Sequence, residues 1–211
     1  REAVGPMVGM NLDPSHLFWM GGDPIEAARV LGEHGAALVL PEEGLDGKRL
    51  FTEAAALLRS FDRILILTHI RPDGDTVGCA AGLCAALRAI GKTAYLLPNP
   101  GLTENTAPYF TPYSAPADFV PEKVVSTDIA TVGLFPDNAK SYADKVDLAI
   151  DHHPSFEGFG KANIVRPEAA ACGELIYDIL AALGSITPEM ALPLYVALST
   201  DTGCFVYTNT T

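Results

Sequence analysis

Basic residues are scarce in this chain: 14 Lys and Arg stand against 26 Asp and Glu, a formal net charge of -12 over 211 residues. Binding along long nucleic acid draws its affinity from clustered Lys and Arg that displace counterions, so a broad basic footprint is excluded. A short phosphate-bearing ligand is not excluded, because cations held by acidic side chains reverse the local field. Cysteine is limited to Cys79, Cys84, Cys172 and Cys204, none in a C-x-x-C pair. That spacing removes zinc-ribbon and thioredoxin-like readings. The four are expected to be reduced, mostly buried thiols of a cytoplasmic protein, with Cys79 and Cys84 on one helix pointing in different directions. No apolar run approaches the roughly 18 residues of a membrane span. No basic-then-apolar signal peptide opens the sequence, and internal repeats and low-complexity tracts are lacking. What is present, 48% hydrophobic and 19% charged residues, is the composition of a globular protein with a core, sized for one domain or one domain plus a remnant.

Two segments differ in character. Residues 1–46 carry Gly, Pro and loop signals and one expected helix, capped by Asp23, with Pro24 in its first turn and an apolar face from Ile25 to Leu31. A linker-like stretch follows over 41–47. From Leu50 the pattern is regular and predicts helices near 52–60, 76–90, 137–144, 170–183 and 188–199. Strands are predicted near 64–68, 93–97, 123–127 and 146–150, and a long proline-rich connection over Pro98–Pro121. Gly91 and Gly184 are natural helix stops. Strands alternating with helices predict an α/β domain with a mostly parallel sheet flanked by helices. Ligands in such sheets bind at the carboxyl ends of the strands.

Acids and histidines fall at those ends. The run Ile64-Leu65-Ile66-Leu67-Thr68 leads into His69, Asp73 and Asp75, with Pro72 and Gly74 shaping the turn. Asp128 follows Val124–Thr127, Asp151-His152-His153 follow Val146–Ile150, and Asp201 follows the last apolar stretch. Each has an ordinary explanation alone. Asp75 can be a helix cap, Asp128 a loop acid, the paired histidines a surface turn, and Asp201 a helix-end residue. Recurrence after successive apolar segments points instead to a site for two divalent cations, since mixed carboxylate and imidazole donors suit ions such as Mn²⁺. His69 and Asp73 can curl to one ion and Asp75 can reach the other. Ala86-Leu87-Arg88-Ala89-Ile90-Gly91-Lys92-Thr93 is close to a P-loop, but its order of helix, glycine and strand is the wrong one.

Thr68-His69-Ile70-Arg71-Pro72-Asp73-Gly74-Asp75, Ser126-Thr127-Asp128, Asp151-His152-His153-Pro154 and Thr200-Asp201-Thr202-Gly203 resemble, in order, the four motifs of the DHH phosphoesterase superfamily. The nearest branch is the bacterial nanoRNase/pAp-phosphatase group, and the resemblance covers about residues 48–211. It implies a dinuclear manganese site, with His69, Asp73 and Asp128 on one ion and Asp75, Asp128, His152 and Asp201 on the other. It implies that His153 contacts the scissile phosphate and that Asp151 orients a histidine. The implied activity is two-metal hydrolysis of short oligoribonucleotides to mononucleotides, or of pAp (3'-phosphoadenosine 5'-phosphate) to AMP. Linear or cyclic di-adenosine monophosphate is the alternative substrate class, and an inactive metal- or nucleotide-binding fragment, prone to dimerise, is the alternative of another kind. Arg71 and Arg166 are candidate phosphate contacts by their nearness to the motifs.

The family pattern also includes a second, substrate-binding domain (DHHA1), which is expected to be absent because the sequence stops at Thr211, just after the fourth motif. Residues 1–40 are similar instead to a piece of the xylose-isomerase-like sugar isomerases and epimerases. That resemblance makes Asp13 a metal ligand and His16 a substrate contact in the matching family, but some 35 residues cannot build a barrel of roughly 250. Residues 1–46 are accordingly expected to be a fusion remnant without a function of their own, and 47–211 the DHH catalytic domain.

Overall fold

The computed structural model describes residues 45–210. The helix expected at 23–31, Asp13 and His16 lie outside the described residues. The order of elements is α1 (Leu45–Ser60), β1 (Ile64–Leu67), α2 (Gly74–Ala89), β2 (Ala94–Leu96), α3 (Ala107–Phe110), β3 (Lys123–Thr127), β4 (Leu148–Asp151), β5 (Ala162–Val165), α4 (Cys172–Leu183) and α5 (Pro188–Asp201). The strands form one parallel sheet in the order β2-β1-β3-β4-β5. The chain winds outward from β1 to β2 on one side and continues through β3 on the other. The gap above β1 and β3 is therefore a topological switch point, where parallel sheets open a crevice at their carboxyl ends.

Alternating residues of the strands feed two cores. Ile64, Ile66, Val125, Leu148 and Ile150 face α1, α2, α4 and α5 in the larger one. Leu65, Leu67, Val124 and Ala149 face the other way, onto Ile129, Phe135, Ala139 and Val146 from loops and short 3₁₀ turns. Regular helices thus cover one face of the sheet and irregular chain the other.

Three expectations are corrected. The segment expected to be a helix at 137–144 is a turn followed by a 3₁₀ helix, Lys140–Lys145, which buries none of its own residues. With no apolar stripe to press onto the sheet, nothing rewards regular α winding there. Strand β5 was not anticipated: Ala-Asn-Ile-Val is short, and only Ile164 is buried at this sheet edge. Helix α1 begins at Leu45, so the end of the linker-like stretch is helical. The order α2, Gly91 in the left-handed region (φ 81), β2 agrees with the dismissal of a P-loop. In the proline-rich connection, buried Phe110 and Tyr113 anchor α3 and the next turn.

Helix α2 is buried from Gly74 to Leu87. It has little apolar bulk, and its packing depends on glycines spaced by four. A methyl group on Gly74 would strike Thr200, one on Gly78 would strike the Pro193 carbonyl and come within 2.9 Å of Ala197, and one on Gly82 would sit 3.2 Å from Leu194. As α2 advances, the facing residue of α5 recedes, so the helices are antiparallel, and the C-terminal end of α5 lies beside the N-terminal end of α2. This close approach carries Asp201 to the crevice. Gly78→Ala is expected to cost about 1–3 kcal/mol through backbone overlap, and to lower the melting temperature by roughly 2–10 °C. Gly82→Ala meets only a flexible leucine end and is expected to cost less. Equal melting temperatures for the two variants would contradict this packing argument.

Candidate metal centre

Each side chain of the crevice is set by a local feature of the backbone. After β1 the chain is clamped on both sides. The Asn99 amide donates to the His69 carbonyl (2.8 Å) and to Thr68 Oγ1 (2.9 Å), and the Ile70 N–H donates to the Leu134 carbonyl (2.8 Å). Asp73 is the N-cap of α2: its Oδ1 accepts the N–H groups of Asp75 (3.1 Å) and Thr76 (3.2 Å). The cap expected of Asp75 therefore belongs to Asp73. Asp75 lies within the first turn, 1% exposed, and accepts from the backbone N–H groups of Cys172 (2.7 Å) and Gly173 (3.0 Å) and from the Cys79 thiol (3.1 Å). Helix α4 has no capping side chain of its own, since Ala171 occupies its N-cap. Asp75 caps it from another helix, satisfying donors that would otherwise be orphaned and placing negative charge at the positive end of its dipole.

Asp128 extends the β3 ladder by one bond, its N–H donating to the Ile150 carbonyl (2.9 Å), and then turns to φ 57, a left-handed conformation that aspartate tolerates better than most residues. His152 Nδ1 lies 3.1 Å from the Ala169 carbonyl. That bond takes the ring proton at Nδ1 and leaves the Nε2 lone pair for the crevice. Asp151 is fully buried at the end of β4, and its Oδ1 meets both the backbone N–H (2.8 Å) and the Nδ1 (2.7 Å) of His153.

The structure brings together all eight residues singled out from the sequence. His69 Nε2 lies 3.6 Å from Asp73 Oδ2 and 3.7 Å from Asp128 Oδ2. His152 Nε2 lies 3.8 Å from Asp75 Oδ2, 3.6 Å from Asp128 Oδ1 and 3.4 Å from Asp201 Oδ2. Three overlapping sets have ligand atoms within 4.8 Å of one another: His69, Asp73 and Asp128; Asp75, His152 and Asp201; and Asp128, His152 and His153. The two oxygens of Asp128 face different histidines, the arrangement a bridging carboxylate needs. Arg166 is drawn away from the site by Glu168 and Asp178, both at 3.4 Å, and by the ring of Phe51. Asn99, the Cys79 thiol, the Ala169 carbonyl and the glycine spacing of α2 were missed in the sequence. Of these, only Gly74, Gly78 and Gly82 left a periodic signal.

The electrostatics of these residues by themselves are unfavourable. Burial, with the Asp201 carboxylate next, pushes Asp75 up to about 7. Burial and the neighbouring Asp75 and Asp73 carboxylates push Asp128 well above the usual range. Burial also raises Asp201, with the histidines pulling the other way. Asp73 is lowered: burial opposes this, but its bond to His69 and the two backbone donors prevail. Hydrogen bonding to Asp151 raises His153. Asp128 Oδ1 and Asp151 Oδ2 are buried without a hydrogen-bond partner. The unsatisfied Asp128 Oδ1 faces nitrogens of His152 and His153, as an oxygen that would ligate a cation does, and the oxygen-and-nitrogen donor set fits divalent ions such as Mn²⁺.

A family model for the N-terminal domain of the DHH family matches residues 63–198, and the chain belongs to the DHH family. Within it, the chain is similar to the bifunctional oligoribonuclease and PAP phosphatase NrnA of Thermus thermophilus, 35% identical over 150 residues, which are 70% of this chain and 46% of that protein. It thus spans about half the length of the curated relatives it matches. An exopolyphosphatase-related protein from Bacteroides fragilis shares the fold, with a TM-score of 0.62 and 23% identity over 78% of this chain and 53% of that one. A stretch of 32 residues, 15% of this chain, is 81% identical to 10% of the uncharacterised protein YfiH of Bacillus subtilis. No helix among the described residues is long and apolar enough to cross a membrane.

Two stability effects follow. A carboxyl whose folded pKa is raised contributes stability that is full below its unfolded value near 4 and is lost as pH rises through the folded value. For Asp75 that window runs from about 4 to about 7, and the raised His153 acts in the same direction. In chelator, the melting temperature is expected to fall between pH 5 and pH 8; a flat or rising profile would count against the crowded carboxylates. Asp128→Asn removes a repelling charge while keeping shape. It is expected to melt a few degrees above the wild type in chelator and to lose most of the rise that Mn²⁺ gives the wild type.

Proposed function

We propose that residues 47–211 are the catalytic domain of a metal-dependent phosphoesterase that hydrolyses short oligoribonucleotides to mononucleotides, or pAp to AMP. The observation carrying this reading is the pair of ligand sets joined through Asp128, at the carboxyl ends of β1, β3 and β4. Similarity to bifunctional oligoribonuclease and PAP phosphatase proteins supports the substrate class. The acidic chain suits a short substrate held by its phosphate better than a long duplex held along its backbone.

His69, Asp73 and Asp128 would hold one cation, and Asp75, Asp128, His152 and Asp201 the other. Two such ions supply charge neutralisation at phosphorus and acidify water. The Ala169 carbonyl holds the His152 ring with Nε2 aimed inward, and Asn99 fixes the backbone that carries His69, so the donors need little rearrangement. His153 lines a cavity of about 250 Å³ beside these residues. Its Nδ1 is engaged with Asp151, which leaves Nε2 to face a substrate. Asp151 favours the protonated ring, so His153 can donate to a phosphoryl oxygen and stabilise charge that develops there. Hydrolysis forms a P–O bond from water and breaks the bond from phosphorus to the 3'-oxygen, which leaves with a proton. Asp128 would contribute a carboxylate oxygen to each of the two cation sets, and His153 would act as a catalytic residue without being a ligand.

The test is turnover of pAp and of a 5'-labelled RNA dinucleotide with Mn²⁺ and with chelator. Mn²⁺-dependent release of mononucleotide is expected, and it should vanish in Asp128→Asn. Turnover retained in that variant would sink the two-metal assignment. His153→Gln is expected to lower kcat by about 100-fold or more while keeping the rise in melting temperature with Mn²⁺. Loss of that rise would make His153 a ligand instead.

A further inference from the structure

The cavity beside the candidate metal centre has a mixed lining. Asp73, Asp128, Asp201, His69 and His153 line it, together with Ile70, Arg71 and Leu134. Arg71 is the one Lys or Arg lining it among the described residues. The backbone on either side of Arg71 is held firmly. His69 O and Ile70 N are both bonded, Pro72 is buried, and Gly101 packs so closely on the Ile70 carbonyl that a methyl group there would overlap it. Arg71 is exposed, and its guanidinium makes no hydrogen bond or ion pair among the described residues. A backbone held beside the ligands and an unengaged planar cation in the lining of the same cavity make a candidate anion contact.

We propose that Arg71 is a specificity-determining residue, which grips the terminal oxygens of a phosphomonoester at this site and so favours cleavage of a terminal 3'-phosphate over an internal diester. This rests on the phosphoesterase reading above. A cavity of about 250 Å³ is smaller than the pockets of roughly 300–1,000 Å³ that engulf whole ligands, so its size suits a phosphoryl group better than a whole nucleotide. The scissile group is then what Arg71 meets. A monoester is a dianion with three terminal oxygens, and a diester is a monoanion with two non-bridging oxygens. Coulomb attraction to one guanidinium scales with the charge it faces. The third oxygen also leaves the monoester an acceptor for the guanidinium when cations compete for the other two. Lysine keeps the charge but not the fork, and glutamine keeps only neutral hydrogen bonding.

The matched substrates are pAp and pApA, which share the same 5'-phosphorylated adenosine and differ in whether the 3'-phosphate is a monoester or a diester. With the Mn²⁺-loaded protein, Arg71→Gln is expected to lower kcat/KM for pAp by about 10- to 100-fold, the range of a lost charge-assisted hydrogen bond. The loss for pApA should be several-fold smaller, and Arg71→Lys should recover part of the loss on pAp. The rise in melting temperature with Mn²⁺ alone should be the same in all three proteins. Equal losses on both substrates, or no loss on pAp, would overturn the proposal. If the wild type turns over neither substrate, the proposed activity fails, and Arg71 is judged by binding. The concentrations of pAp and AMP needed to raise the melting temperature of the Mn²⁺-loaded protein are compared between wild type and Arg71→Gln. A weakening greater for pAp than for AMP supports the role of Arg71, and unchanged or equally weakened binding refutes it.

Discussion

Gathering four carboxylates in one crevice is the constraint on which the rest of this structure depends. Asp73, Asp75, Asp128 and Asp201 converge on two imidazoles within a few ångströms, and burial and mutual repulsion raise three of the four. Charged oxygens in that position need donors or cations. The fold supplies donors to the two that form part of helix α2: Asp73 caps that helix and Asp75 caps α4. It leaves Asp128 Oδ1 buried and unmatched. The electrostatic strain is thus concentrated on the residue whose two oxygens face both halves of the site, and divalent cations would relieve it there.

The scaffold is arranged to deliver these groups without flexible intermediaries. β1, β3 and β4 are adjacent in the sheet and end together. The residues just beyond or at their ends, His69 to Asp75, Asp128, and Asp151 to His153, meet because the strands are in register. The remaining candidate ligand arrives by another route. Asp201 ends α5, which reaches the crevice because three glycines and several alanines let it lie against α2. A bulkier α2 would hold the same side chain too far away. The interior of a helix pair, remote from any chemistry, therefore sets one ligand distance.

Several groups serve two purposes, which limits how they can be replaced. Asp73 is both a helix cap and a candidate ligand, and Asp75 is both a candidate ligand and the cap that Ala171 cannot supply. His152 and His153 are neighbours in sequence with opposite attachments: one ring is held through Nδ1 by a main-chain carbonyl, and the other by a buried carboxylate. That difference underlies the separate roles proposed for them, a ligand for His152 and a substrate contact for His153. The excess of acids over bases, read along the chain, argued only against long nucleic acid. Within the site it becomes a local balance, in which Arg71 is the one Lys or Arg lining the cavity among the described residues.

The positions of most elements and the eight residues of the site were legible in the amino-acid sequence. Apolar runs of strand length are local patterns, and His69-x-x-x-Asp73-x-Asp75 and Asp151-His152-His153 are contiguous. Residues 123–127 were read as a strand with the bounds observed, and 188–199 as a helix that proves two residues longer. Segments with little buried surface were not legible, because their conformation follows from neighbours rather than from periodicity: the 3₁₀ turn at 140–145 and the edge strand at 162–165. Tertiary structure alone decided that Asp73 rather than Asp75 caps α2, that Asp75 reaches across to α4, that Asn99 clamps His69, and that Arg166 turns away while Arg71 lines the cavity. Sequence determines which chemical groups stand at the ends of which elements. Which donor each oxygen meets is a matter of a few ångströms between segments up to a hundred residues apart, and only close packing sets those distances.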